Sequence, residues 1–202
     1  MREAVDLPIT VKHRIGVDEY DSYEFLRDFV GRVTESGCEV FLVHARKAWL
    51  KGLSPKQNRE IPELNYDRVY RLKKDFPQLE IIINGGVTTL EQSKEHLQHL
   101  DGVMVGREVY SNPYLLASVD QDIYGASHGV KTRRQIAEEF LQYADNELSK
   151  GTKLNAMTRH ILGLFHGMPG ARQFRRHISE NAHKPSATIE VLSTALSKTT
   201  GE

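Results

Sequence analysis

Four short apolar runs in the first half of the chain each give way to residues that can bind or react. Leu7 to Val11 leads into Lys12-His13-Arg14, and Val40 to Val43 leads into His44-Ala45-Arg46-Lys47. Leu79 to Ile83 leads into Asn84-Gly85-Gly86, and Gly102 to Val105 into Gly106-Arg107. An ammonium such as Lys12 at the end of an apolar strand is awkward unless an anion or a polar ring edge receives it. His44 can donate a hydrogen bond or exchange a proton near neutrality. The glycine steps let backbone N–H groups approach an anion closely, and Arg107 adds charge. Taken singly, these are a solvated lysine, a structurally bonded histidine and a tight turn. The two glycine-bearing strand ends in succession point instead to a phosphorylated ligand, and the convergence of all four ends brings Lys12 and His44 to the same mouth.

The elements that must position these residues follow from hydrophobic period. The four runs are continuously apolar, as in buried parallel strands. Between them, Ser22 to Glu35, Asp67 to Asp75 and Leu90 to Leu100 carry apolar residues at helical spacing. The resulting β-α-β-α-β-α-β order predicts right-handed βαβ units, in an open doubly wound layer or part of a barrel. In either case ligands sit beyond the C-terminal strand ends. From Lys131 onward only helices are expected, over 131–150, 158–165, 171–181 and 188–197. The polar stretch 120–130 reads as a linker, which divides the chain into an α/β domain (1–119) and a helical domain (131–202).

The 202 residues carry 27 Lys plus Arg against 27 Asp plus Glu, so any polyanion must be held by local patches. Two are visible. The loop Arg46 to Arg59 holds Arg46, Lys47, Lys51, Lys56 and Arg59 around Trp49, and Arg172, Arg175, Arg176 and His177 follow Met168-Pro169-Gly170. One patch per domain suggests a polyanion held by both. The one cysteine, Cys38, rules out an internal disulfide framework, and its place before the second strand makes it a small buried packer. No metal-ligand spacing occurs, and His96 and His99 are expected to decorate a helix. With no signal-like or spanning apolar stretch, the expected location is the cytosol.

At VKHRIG, VHARKAWLKGLSPKQNREIP, INGG, GVMVGR and GARQFRRHISENAHK the chain resembles the tRNA-dihydrouridine synthases of the A subfamily. The resemblance implies an FMN-bearing TIM (β/α)8 barrel and a C-terminal helical bundle domain that together grip tRNA. It further implies reduction of D-loop uridines 20 and 20a with NADPH as reductant, by hydride delivery from flavin N5 to uridine C6 and a proton to C5. Lys12 and His44 match flavin-contacting positions, Asn84, Gly85 and Gly86 one stretch of the phosphate and ribityl site, and Gly106 with Arg107 another. Gln57, Glu60, Arg172 and Arg175 match tRNA-contacting segments, and Arg46, Lys47 and Arg176 join them as RNA-binding candidates from the basic patches. The family's cysteine acid belongs to a first half barrel not contained here, and Cys38 is in the wrong place to replace it. The chain is thus expected to be a C-terminal portion, with strands five to eight plus the helical domain, inactive in isolation. Its exposed half-barrel edges would then require a missing N-terminal half, drive self-association or leave it marginally soluble. A dihydroorotate-type flavin oxidoreductase and a noncatalytic RNA-binding module are the alternatives.

Overall fold

A computed structural model describes residues 4–199. Residues 1–3 and 200–202, at the outer ends of the two expected domains, lie outside the described residues. Contacts along the chain divide it into two compact units, 1–106 and 107–202. The sequence expectation drew its domain boundary later, at 119 with a linker over 120–130.

The first unit is built on a parallel four-stranded sheet in the order β1-β2-β3-β4: β1 Thr10–Arg14, β2 Val40–His44, β3 Glu80–Asn84 and β4 Gly102–Met104. The strands alternate with α1 (Tyr23–Glu35), α2 (Tyr66–Asp75) and α3 (Leu90–Leu97). Each helix starts where a side-chain oxygen takes an otherwise orphaned N–H: Ser22 accepts from Phe25, Asn65 from Arg68 and Thr89 from Gln92. Side chains alternate across the sheet. Phe41, Val43, Ile81 and Ile83 are fully buried with Leu26 and Val30 of α1 and Val69 and Leu72 of α2. The alternate residues Leu42, His44, Ile82 and Asn84 are only half-buried, and Lys12 of the same parity is exposed.

Two expected elements differ. The first strand does not cover Leu7 to Val11 but begins at Thr10, with Leu7 68% exposed. Pro8 has no N–H to give to a ladder, and pairing starts where Thr10 meets Val40. Lys12 therefore sits mid-strand rather than after the strand.

The second unit is helical among the described residues: α4 (Arg107–Ser111), α5 (Val119–Asp122), α6 (Arg133–Ser149), α7 (Leu154–Thr158), α8 (Ala171–Asn181) and α9 (Glu190–Leu196), with a 3-10 turn at Pro113–Leu116. α6 opens with a reciprocal cap between Thr132 and Gln135. Phe165, Phe174, Leu154 and Leu192 form its core, with the rings of Phe165 and Phe174 edge to face at 4.9 Å. The helix expected over 158–165 is not formed, because α7 already ends at Thr158. Gly163 lies where the Ser111 carbonyl oxygen comes within 2.1 Å of the position a Cβ would take, a packing demand that only glycine meets.

Candidate functional site

Register aligns the polar strand ends: Arg14 opposite His44, His44 opposite Asn84, Asn84 opposite Met104. Across this row the Lys12 Nζ donates to Asn84 Oδ1 at 2.9 Å, and Asn84 Nδ2 donates to the Met104 carbonyl at 2.7 Å. Asn84 is thereby fixed in both position and amide orientation. Although the side chain as a whole is exposed, desolvation of its ammonium against the sheet, reinforced by the charge of Arg14, pulls Lys12 below its usual pKa. A lysine held in this way gains from an anion placed beside it.

Gly85 and Gly86 continue directly from Asn84 with φ of +115° and +75°. A Cβ on Gly85 would lie 3.3 Å from His44 Nε2, and one on Gly86 would lie 2.5 Å from Leu64 Cδ1 and 2.7 Å from the Tyr66 hydroxyl. The Tyr66 hydroxyl donates to the Gly85 carbonyl at 2.9 Å. That bond turns the Gly85 carbonyl toward α2. Partial burial raises the Tyr66 pKa and keeps the phenol protonated as a donor. Behind Tyr66, the buried His96 packs its ring at 4.5 Å and shares a 2.7 Å hydrogen bond with the Tyr70 hydroxyl through Nδ1. Burial lowers the His96 pKa. His96 is therefore not surface decoration, as its helix position suggested. Tyr66 and Leu64 were missed in the sequence because they sit in apolar or helical contexts, and His96 was read only as decoration; the near repetition of Tyr66 and Tyr70 at helical spacing was the available signal.

Gly106 closes the first unit after β4, with open space around the position of its Cβ. Arg107 begins α4 in the second unit. Lys12, His44, Asn84, Gly85 and Gly86 are thus brought together within one unit. Cys38 is buried before β2, at the opposite end from His44, with Sγ 3.6 Å from the Ile9 carbonyl and 3.5 Å from that of Val40.

The loop after β2 is held by its own polar groups. Arg14 donates to the carbonyls of Lys47 and Asn58, both at 2.8 Å. The Asn58 amide donates to the Trp49 carbonyl at 2.6 Å and accepts the Trp49 N–H at 2.8 Å. Lys47 pairs with Asp21 at 2.9 Å and lies over the Trp49 ring at 4.2 Å. That hydrogen bond keeps the Asp21 carboxyl below the usual carboxylate range. Arg46 donates to the carbonyls of Glu60 and Pro62. Gln57 and Ser54 cap one another, the Gln57 side chain accepting the Ser54 N–H at 2.8 Å. Among the RNA-binding candidates of this loop, Gln57 and Glu60 are exposed, whereas Arg46 and Lys47 are half-buried and shape the loop.

On α8, Phe174 and Ile178 face the core, so Arg172, Arg175 and Arg176 are exposed on the outer side. Arg176 pairs with Glu180 at 2.7 Å. Among the described residues, no group that could hold a metal ion brings three His, Cys, Asp or Glu together, and no helix is long and apolar enough to cross a membrane.

Comparison with known proteins gives this geometry its context. The chain is 65% identical over 199 residues to the tRNA-dihydrouridine(20/20a) synthase of Vibrio vulnificus, covering 98% of this chain and 61% of that protein. It is 60% identical over 195 residues to the enzyme of the same name from Shewanella oneidensis, covering 96% and 58%. With that of Escherichia coli strain K12 it shares 58% over 197 residues, covering 97% and 57%. The chain spans about three-fifths of the length of these relatives. The family model described as dihydrouridine synthase matches residues 1–200, and the chain belongs to that family.

Proposed function

We propose that the chain carries the FMN-binding and tRNA-binding elements of a tRNA-dihydrouridine(20/20a) synthase of the A subfamily, working in the cytosol with NADPH as reductant. In this reading the sheet of the first unit is the second half of a TIM barrel, within domain 1–119, and 131–202 is a helical tRNA-binding bundle joined by 120–130. The sequential, all-parallel strand order supports the barrel assignment. The names of the relatives favour tRNA over a dihydroorotate-type substrate.

The observation that carries the proposal is the Lys12–Asn84–Met104 bridge running beside His44 into the Gly85-Gly86 step. These groups suit FMN. Lys12 and His44 would face the ring system, Asn84 the ribityl chain, and the backbone of Gly85, Gly86 and Gly106 the phosphate, with Arg107 supplying charge. When bound, FMN supplies the hydride that saturates the uridine C5–C6 bond. The chain's part is to orient: Asn84 holds the Lys12 ammonium in place, and Tyr66 holds the Gly85 carbonyl aside. Arg46, Lys47, Gln57, Glu60, Arg172, Arg175 and Arg176 would form or shape the RNA-binding surface. Cys38 does not supply the proton for C5, because it lies at the other end of β2. The isolated 202-residue chain is therefore expected to bind without reducing uridine, in need of an N-terminal half barrel or self-association to complete the site.

Titration of the purified chain with FMN, followed by quenching of flavin fluorescence, tests this. Saturable binding that weakens about tenfold or more in Lys12→Met supports the assignment; absence of binding by the wild type refutes the flavin part. Should tRNA still bind without flavin, the noncatalytic RNA-binding alternative stands, for which the exposed Arg172 and Arg175 speak. Reduction of uridine by the isolated chain would overturn the expectation of inactivity.

A further inference from the structure

Three exposed side chains of the second unit are ordered against one another without contributing to its core. Arg159 Nε donates to His160 Nε2 at 3.0 Å. With Nε2 accepting, the neutral imidazole carries its proton on Nδ1. Nδ1 faces the Tyr110 hydroxyl at 3.5 Å. The two rings stand nearly perpendicular, at 81° with centroids 5.9 Å apart, and Tyr110 remains 61% exposed. Ordering exposed, rotamer-rich side chains costs conformational entropy, and burial of these three returns little of it.

The charge carried by the same unit selects the class of ligand. Although the whole chain is neutral, residues 150–184 carry seven Lys or Arg (Lys150, Lys153, Arg159, Arg172, Arg175, Arg176 and Lys184) against one acid, Glu180. An exposed aromatic ring that meets such a cationic stretch, here through His160 and Arg159, is the combination that binds single-stranded or unpaired nucleotides, the ring stacking on a base and the cations meeting phosphates. The groups that meet the ring are themselves exposed and polar, His160 directly and Arg159 behind it.

We propose that Tyr110, steadied by His160 and backed by Arg159, is a stacking platform for an unpaired base of the RNA substrate. The proposal rests on the tRNA reading given above and adds a residue that the sequence did not single out. Tyr110 lies three residues after Arg107 on α4, so the two share a helix face. Recognition by stacking depends on the ring and not on the hydroxyl.

The test is the affinity of the full chain for an unmodified tRNA transcript, measured by fluorescence anisotropy across a salt series for the wild type, Tyr110→Phe and Tyr110→Leu. Tyr110→Phe should bind within about twofold of wild type, and Tyr110→Leu should lose on the order of 10- to 100-fold. The slope of log affinity against log salt should stay unchanged in Tyr110→Leu, because no phosphate contact is removed, whereas Arg172→Ala should make it shallower. Tyr110→Trp provides a readout independent of the leucine variant's folding: its added indole fluorescence should be quenched by tRNA beyond the response of Trp49 in the wild type. Wild-type affinity in Tyr110→Leu, or no added quenching in Tyr110→Trp, overturns the platform while leaving tRNA binding intact. Failure of the wild type itself to bind tRNA overturns the RNA reading, and the platform with it.

Discussion

Alanine at Gly86 and at Gly106 should separate what glycine does for the fold from what it does for a ligand. At Gly86 the backbone is left-handed, with φ +75°, which costs a residue bearing a Cβ about 1–2 kcal/mol. The new methyl would also meet Leu64 Cδ1 at 2.5 Å and the Tyr66 hydroxyl at 2.7 Å. Forcing such a contact in packed structure costs about 1–3 kcal/mol more. Gly86→Ala should therefore lose about 2–5 kcal/mol, a fall in melting temperature of roughly 8–20 °C at roughly 4 °C per kcal/mol. Gly106 has no neighbour within 4 Å of its Cβ position and is not left-handed, so Gly106→Ala should stay within about 0.5 kcal/mol of wild type. Its effect should show in FMN titration instead, as a methyl group between backbone and phosphate that weakens binding about tenfold or more. Differential scanning calorimetry and flavin fluorescence give the two readouts. An unshifted melt for Gly86→Ala would refute the packing argument. Undiminished FMN binding by Gly106→Ala, in a chain whose wild type binds FMN, would refute the phosphate assignment.

Other perturbations probe different links. Asn58→Ala removes both hydrogen bonds to Trp49, and the loop 46–60 should become more susceptible to limited proteolysis; an unchanged cleavage rate would show that the bonds made by Arg14, Arg46 and Lys47 suffice to hold it. His13 is mostly buried against Phe29 and Phe41, its Nε2 has no hydrogen-bond partner, and burial lowers its pKa. His96 is lowered for the same first reason. In both, the unfolded state takes up the proton first as pH falls, so their contribution to stability is complete above the unfolded value near 6.5 and is lost below it. The melting temperature should fall from pH 7.5 to pH 5, and His13→Leu should make that fall smaller; an equal fall in the variant would exclude His13 as a source. Tyr66→Phe removes the donor to the Gly85 carbonyl, and FMN affinity should drop several-fold with a stability loss of about 1 kcal/mol, measured in the same titrations and melts; unchanged affinity would show that the glycine step needs no such brace.

Much of the site's outline was already present in the residue order. Continuous apolar runs must be buried on both faces or paired within a sheet, and helical stretches between them leave parallel pairing as the simple solution, so the parallel βα alternation and the strand-end placement of His44, Asn84 and Gly85 follow from local pattern, whereas the sequential strand order, which separates a barrel-like sheet from a doubly wound one, came from the tertiary pairing. Local pattern also set the caps at Ser22, Asn65, Thr89 and Thr132, where a short oxygen-bearing side chain meets the first free N–H groups. Tertiary structure decided what depends on neighbours distant in sequence. The start of β1 was set by its pairing with Val40, which placed Lys12 within a strand and within reach of Asn84, 72 residues away. His96 went inward because Tyr66 and Tyr70 came to meet it, an outcome that helix period alone does not encode. The helix expected across 158–165 is replaced by turns after Thr158, and at Gly163 within them the backbone of Ser111 packs too close for any side chain. Such contacts are long-range, and no window of adjacent residues carries the energy that selects them.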